Sequence, residues 1–203
     1  DPDAGVVKQA PNIRGLGGFP LTRTLGDRLG GIPVHLQNDA YCATLAELRW
    51  GAGKEADNLL MFTLGTGIGG GIVYGGRLIR GFYDTGAELG HIIVEPSGRL
   101  CACGQRGCVE TYASAMNAAK IATEELLAGK PSSMKSVLDR DGAITTETIL
   151  THMLQGDAYA HDIWHRTCRY LAIACVDMNH ALNTELIVLA GGMVGAGNHL
   201  LQP

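Results

Sequence analysis

The sequence predicts an α/β protein, a sheet flanked by helices, with a metal-binding loop. Three observations carry that expectation. Residues 59–64 (Leu-Leu-Met-Phe-Thr-Leu) and 186–190 (Leu-Ile-Val-Leu-Ala) are unbroken apolar runs of strand length, the pattern of strands buried on both faces. Residues 109–127 and 157–182 place apolar side chains at helical spacing over lengths no strand reaches. His91, Cys101, Cys103 and Cys108 gather four soft metal ligands into one short, glycine-punctuated segment.

The elements follow in order. Residues 1–31 are rich in Gly and Pro, and Leu21, Leu25 and Leu29 fall on one helical stripe that Gly30 and Gly31 stop. Residues 33–37 predict a short strand. Asn38 and Asp39 then stand as potential caps for an Ala-rich helix over 40–50, which Gly51 and Gly53 end. After the 59–64 run come a glycine-rich turn and a second strand over 71–74. A hairpin turn follows at Gly75-Gly76, with Leu78-Ile79 returning. Beyond the Cys/His segment, a helix over 109–127 is closed by Gly129 and Pro131. Residues 130–142 make a surface excursion with a short helix. Two helices over 145–155 and 157–182 lead to the 186–190 strand, which runs into Gly191-Gly192.

Three groups of residues can carry chemistry. One His and three Cys satisfy a closed tetrahedral Cys₃His zinc shell, and Gly104 and Gly107 let the backbone fold around a small ion. A disulfide with a spare thiol, or three small buried apolar side chains, are the alternatives. A zinc knot would hold Glu88, His91 and Glu110 in fixed relation, an arrangement suited to a polyol. The run from Gly65 to Gly71 contains a formal Gly-X-Gly-X-X-Gly, but it leads into a strand and a hairpin. A dinucleotide fingerprint must open a helix instead. What remains is a strand-turn-strand whose bare amides can approach phosphate oxygens, with Thr66 adding a hydroxyl. The alternative is a tight hairpin in which glycine merely permits positive φ. Asp39, between a strand end and a helix start, is placed where a proton acceptor is usable; the alternative is a plain N-cap. Glu110 in a first helical turn and Glu88 in a loop can accept from hydroxyls, or serve as helix-end and solvated acids.

The run Glu88-Leu-Gly-His91, followed by Cys101-Ala-Cys103-Gly-Gln-Arg-Gly-Cys108-Val-Glu110, resembles the signature of the ROK family of sugar kinases and sugar-responsive repressors. The resemblance extends over nearly all 203 residues. It implies the actin-like ATPase (ribonuclease H-like) fold with a mixed sheet. It also implies ATP-dependent phosphorylation of a hexose, glucose first, at the 6-hydroxyl, with Mg²⁺ accompanying ATP and Zn²⁺ in a structural role. By resemblance Asp39 is the catalytic base, and Asn38, Asp39, Glu88, His91 and Glu110 are sugar ligands. Gly65, Thr66, Gly67, Gly191 and Gly192 lie near nucleotide, and His91, Cys101, Cys103 and Cys108 bind zinc, His91 serving both metal and sugar. Kinases of N-acylhexosamines or fructose are the alternatives within the class, and a ROK repressor is the alternative outside it. An intact Asp39 with an intact Gly65–Gly71 run favours the enzyme. An Asp-X-Gly-X-Thr phosphate loop and the closing strands of the fold have no counterpart. The expectation is therefore a piece comprising mostly the C-terminal domain. Residues 1–33 would belong to the end of the N-terminal region, with 12–18 at the cleft edge, and residues 34–203 to the C-terminal domain with its zinc loop at 91–108. The resemblance also implies a homodimer.

Composition narrows the classes further. A net charge of −4 with no basic block provides no electrostatic footprint for nucleic acid. No apolar run reaches spanning length, so no membrane partner is expected. Three clustered and three scattered cysteines suit a reducing compartment with a metal site, hence the cytoplasm.

Overall fold

The computed structural model describes residues 1–8, 13 and 15–203. Four strands, β1 (Leu59–Leu64), β2 (Ile68–Tyr74), β3 (Arg77–Leu78) and β4 (Leu186–Ala190), form one sheet in the order β3-β2-β1-β4 among the described residues. β1 pairs antiparallel with β2, in the register Phe62 to Gly70, and parallel with β4, in the register Phe62 to Leu189. The sheet is therefore mixed, and the long connection from β3 to β4 carries five of the helices.

The helices are α1 (Leu21–Arg28), α2 (Asp39–Trp50), α3 (Glu110–Ala113), α4 (Ala115–Leu127), α5 (Lys135–Asp141), α6 (Thr146–Leu154), α7 (Ala158–Leu182) and α8 (Asn198–Leu201). β1 explains their distribution. Its residues point alternately to opposite faces, and both faces are apolar. Leu60, Phe62 and Leu64 enter a core with Ile121, Leu126, Ile163 and Leu171 from α4 and α7. Leu59 and Met61 enter a second core with Val73, Val188 and Leu48 of α2. An uninterrupted hydrophobic run is what a strand needs when helices cover it on both sides.

Several boundaries differ from expectation, each for a physical reason. Residues 33–37 form no strand: the segment finds no ladder partner among the described residues, and Pro33 has no N–H to offer. β2 begins at Ile68, so Ile68, Gly69 and Gly70 are strand residues rather than loop. β3 occupies Arg77–Leu78, one residue earlier than expected, although the Ile79 N–H still donates to the Ile72 carbonyl at 2.8 Å. The helix expected over 109–127 breaks at Ser114, whose ψ of 154° is extended. There the wholly buried Ser114 caps α4 by accepting from Asn117 N–H. The Gly75-Gly76 turn has φ of +56° and +70°, as a type I′ hairpin requires. Asn12 and Arg14, within the segment expected at the cleft edge, lie outside the described residues. Among the described residues no helix is long and apolar enough to cross a membrane.

Candidate active site

At the open end of β1 the chain makes a tight hairpin. Gly65 N–H donates to the Gly67 carbonyl at 3.0 Å, placing Thr66 exposed at the tip. Two contacts from α3 and α4 hold it from below. Glu110 Oε2 accepts from Ile68 N–H at 2.8 Å, and the Gly65 carbonyl accepts from Ala115 N–H at 2.9 Å. The second bond exists only because Ser114 interrupts the helix and frees the first turn of α4. None of Gly65, Gly67, Gly69, Gly70 and Gly71 has positive φ, so the alternative in which glycine merely permits positive φ does not hold here. Glycine serves space. A β-carbon at Gly67 would come 2.5 Å from Glu110 Oε2, one at Gly70 2.5 Å from Leu89, and one at Gly71 would overlap Thr44 of α2. Thr66 and Gly67 keep N–H groups without an acceptor among the described residues, donors of the kind a phosphate oxygen accepts.

α2 crosses β2 over Gly69 and Gly71, where Ala40 and Thr44 approach, and delivers its N-terminus to the same place. Asn38 is the N-cap, its Oδ1 accepting from Tyr41 N–H at 3.1 Å. Asp39 is the first helical residue rather than the cap. One of its carboxylate oxygens accepts from Ala40 N–H at 2.8 Å, and the side chain is otherwise exposed.

The third wall is the segment between β3 and the 3₁₀ turn Leu89–His91. Glu88 has φ −72° and ψ 63°, and Leu89 N–H donates to the Ala87 carbonyl at 2.8 Å, an inverse γ-turn centred on the acid. Ala87 before it has φ +53°, a left-handed conformation that L-residues with a β-carbon avoid. Three contacts steady this stretch. Tyr41 donates its hydroxyl to the Gly86 carbonyl at 2.6 Å, Gly86 N–H donates to the Arg80 carbonyl at 3.0 Å, and Arg80 pairs with Asp84 at 2.7 Å. Asp84 is thus a partner in the loop's own ion pair.

Hairpin, helix start and γ-turn enclose a cleft of about 530 Å³. Asn38, Asp39, Gly65, Thr66, Gly67, Glu88, Glu110 and Gly191 all line it. His91 and Gly192 do not. Gly191 packs so closely on Leu64 that a β-carbon there would come 2.5 Å from the Leu64 carbonyl oxygen. Tyr41 and Thr63, which line the same cleft, escaped notice in the sequence. The single aromatic among the small residues Ala40, Cys42, Ala43 and Thr44 at the start of α2 was the available signal for Tyr41.

Beside the cleft, His91 closes its 3₁₀ turn over the cysteine loop. Isolated bridges pair Ile93 with Cys108 and Leu100 with Arg106, and Gly104 and Gly107 take φ of +91° and +81°. His91 Nδ1 lies 3.6 Å from Cys101 Sγ, Cys103 Sγ lies 3.6 Å from Cys108 Sγ, and all four ligand atoms fall within 4.8 Å of one another. A tetrahedral shell with metal–sulfur bonds of ~2.3 Å has edges of about 3.8 Å, so the four side chains fit one cation. All six cysteines are free thiols, which removes the disulfide reading. Cys103 is exposed, which a packing role does not explain. Burial first, and then its neighbouring thiols, push the Cys108 thiol up to about 12. Sulfurs crowded in this way ionise together only when a cation compensates them.

A sequence profile described as the ROK family matches residues 1–203. The glucokinase of Halalkalibacterium halodurans is 41% identical over 202 residues, covering 99% of this chain and 61% of that protein. The chain thus spans about three fifths of that relative's length. Among solved structures, a ROK family glucokinase from Streptomyces griseus in complex with glucose and AMPPNP superposes with a TM-score of 0.84 at 35% identity, covering 98% of this chain and 64% of that one. A ROK family transcriptional regulator, a homologue of the E. coli MLC protein, superposes with a TM-score of 0.85 at 32% identity, covering 99% of this chain and 49% of that one.

Proposed function

The chain belongs to the ROK family, and from that premise we propose that the protein transfers the terminal phosphoryl group of ATP to the 6-hydroxyl of a hexose, glucose first. One observation carries the reading. A carboxylate at a helix start, two further acids and a bare-amide hairpin share a single cleft. Phosphoryl transfer needs positioning, charge neutralisation and an acceptor for the hydroxyl proton, and each has a residue here.

Asp39 accepts the 6-hydroxyl proton. Its backbone is fixed in the first turn of α2, and the bond from Ala40 N–H orients one oxygen and leaves the other for substrate. Glu88 and Glu110 accept from ring hydroxyls. Glu110 commits Oε2 to the hairpin, so it meets the sugar with Oε1 and ties the sugar wall to the phosphate wall. Asn38 uses Oδ1 as the helix cap and offers its amide N–H₂ to the sugar. His91 stands beside the cleft lining rather than in it; with Nδ1 turned to the thiols, Nε2 is the atom it has left to meet a hydroxyl of the bound sugar. Thr66 and the amides of the hairpin hold phosphate oxygens, and Gly191 and Gly192 border the nucleotide. Mg²⁺ bound with ATP neutralises phosphate charge. Zn²⁺ held by His91, Cys101, Cys103 and Cys108 supplies rigidity rather than reaction chemistry. The working unit is a homodimer, which sedimentation checks.

The test is a panel of glucose, fructose, N-acetylglucosamine and N-acetylmannosamine with ATP and Mg²⁺ on the full-length protein, identifying the product. Glucose 6-phosphate is expected. Faster turnover of an N-acylhexosamine or fructose transfers the assignment within the class. Tight hexose binding with no product from any of the four replaces the kinase with a sugar-sensing regulator.

A further inference from the structure

We propose that Tyr41 is a positioning residue for the hexose, holding the turn that presents Glu88 at a fixed separation from the helix that presents Asp39. The inference rests on the kinase reading above and goes beyond it to a residue that reading does not use.

The geometry is specific. Tyr41 follows Asp39 by two positions on α2, and its side chain is buried, with 3% of its surface exposed. Its hydroxyl donates at 2.6 Å to the carbonyl of Gly86, which lies 45 residues further along the chain. The next residue, Ala87, is in the left-handed conformation, and the one after that, Glu88, is at the centre of the inverse γ-turn. A non-glycine residue in that conformation persists only where its surroundings over-determine it. Here the chain before Ala87 is gripped at Gly86 by Tyr41 and by the Arg80 carbonyl. The chain after it is held by the bonds from Leu89 and His91 N–H to the carbonyls of Ala87 and Glu88. Of these restraints, Tyr41 alone reaches across to the element carrying Asp39.

The phenol is suited to this work. Burial, and then the nearby Glu88 and Asp84 carboxylates, push its ionisation above the ordinary tyrosine value. It therefore stays a proton donor, and it feels the charge of the acid it positions. Removing the oxygen while keeping the ring leaves the packing of α2 in place. It releases the Gly86 carbonyl and lets Ala87 relax toward ordinary φ, carrying Glu88 away from its aim. Asp39, fixed by its own helix, is left where it was.

The experiment is Tyr41→Phe in the full-length protein, with hexose KM and kcat, melting temperature, and amide hydrogen exchange over residues 85–91. The expected result is a KM raised about tenfold with kcat within about twofold of wild type, and faster exchange at Leu89 and His91. Adding Ala87→Gly, which removes the strain the hydroxyl restrains, should recover part of the lost affinity. A wild-type KM overturns the positioning role, even if melting temperature falls; so does an unchanged exchange pattern. A wild-type protein that neither binds nor phosphorylates hexoses overturns the kinase reading and this inference with it. A competent wild type with an indifferent Tyr41→Phe overturns this inference alone.

Discussion

Two glycine-rich stretches stand side by side, and their glycines do different work. In the hairpin and the strand that leaves it, Gly67, Gly70 and Gly71 have ordinary backbone angles, and each missing β-carbon leaves room for a neighbour: Glu110, Leu89 and Thr44. In the cysteine loop, Gly104 and Gly107 take φ of +91° and +81°; a β-carbon at Gly104 would stand in open space, while one at Gly107 would also overlap the Glu95 carbonyl. The first stretch uses glycine so that three other elements can converge on one cleft. The second uses it so that the chain can reverse around four ligands. The comparison teaches that one composition supports two mechanisms, a packed cleft and a folded clip, and that substitutions separate them.

The largest expected effect falls on the clip. Cys103→Ser should abolish stoichiometric metal in elemental analysis, lower the melting temperature more than any other change considered, and weaken hexose affinity about tenfold. A wild type without metal would remove the basis for the contrast. Next is Asp39→Asn on the reaction side. It should reduce kcat about 10²-fold or more with hexose binding and melting temperature near wild type. Normal turnover would show that the acceptor lies elsewhere. The two glycine mechanisms are then tested directly. Gly71→Ala drives a methyl into the buried Thr44 hydroxyl, so denaturation should show a loss of about 1–3 kcal/mol, partly restored by Thr44→Ala. Gly104→Ala meets no neighbour and suffers only the left-handed backbone, a loss of about 1 kcal/mol that no second-site change relieves. If a neighbour's truncation rescued Gly104→Ala but not Gly71→Ala, the comparison would be wrong.

Much of the framework was legible from residue pattern. β1 and β4 announced themselves as unbroken apolar runs because helices cover both faces of the sheet. The Cys and His spacing showed the clip because metal ligation constrains a short local segment. Other features were illegible for equally physical reasons. Gly69 and Gly70 have poor strand propensity, yet lie in β2 because α2 and the Leu89 turn need their missing side chains. The break at Ser114 leaves the apolar periodicity undisturbed on either side and becomes visible only when Ala115 N–H is seen bonding to Gly65. Residues 33–37 look like a strand, but a strand is a pairing relation and these residues have no partner among those described.

By itself, then, the sequence determined which segments are buried, which residues can ligate a metal and which carboxylates are available for chemistry. Those properties belong to side-chain type and near-neighbour spacing. Only the tertiary structure decided that Asp39, Glu88, Glu110 and the hairpin share one cleft, and that Tyr41 joins two of its walls. These are long-range contacts. They arise from how closely α2 can approach β2 once two glycines, Gly69 and Gly71, are under it, a distance that no local pattern encodes.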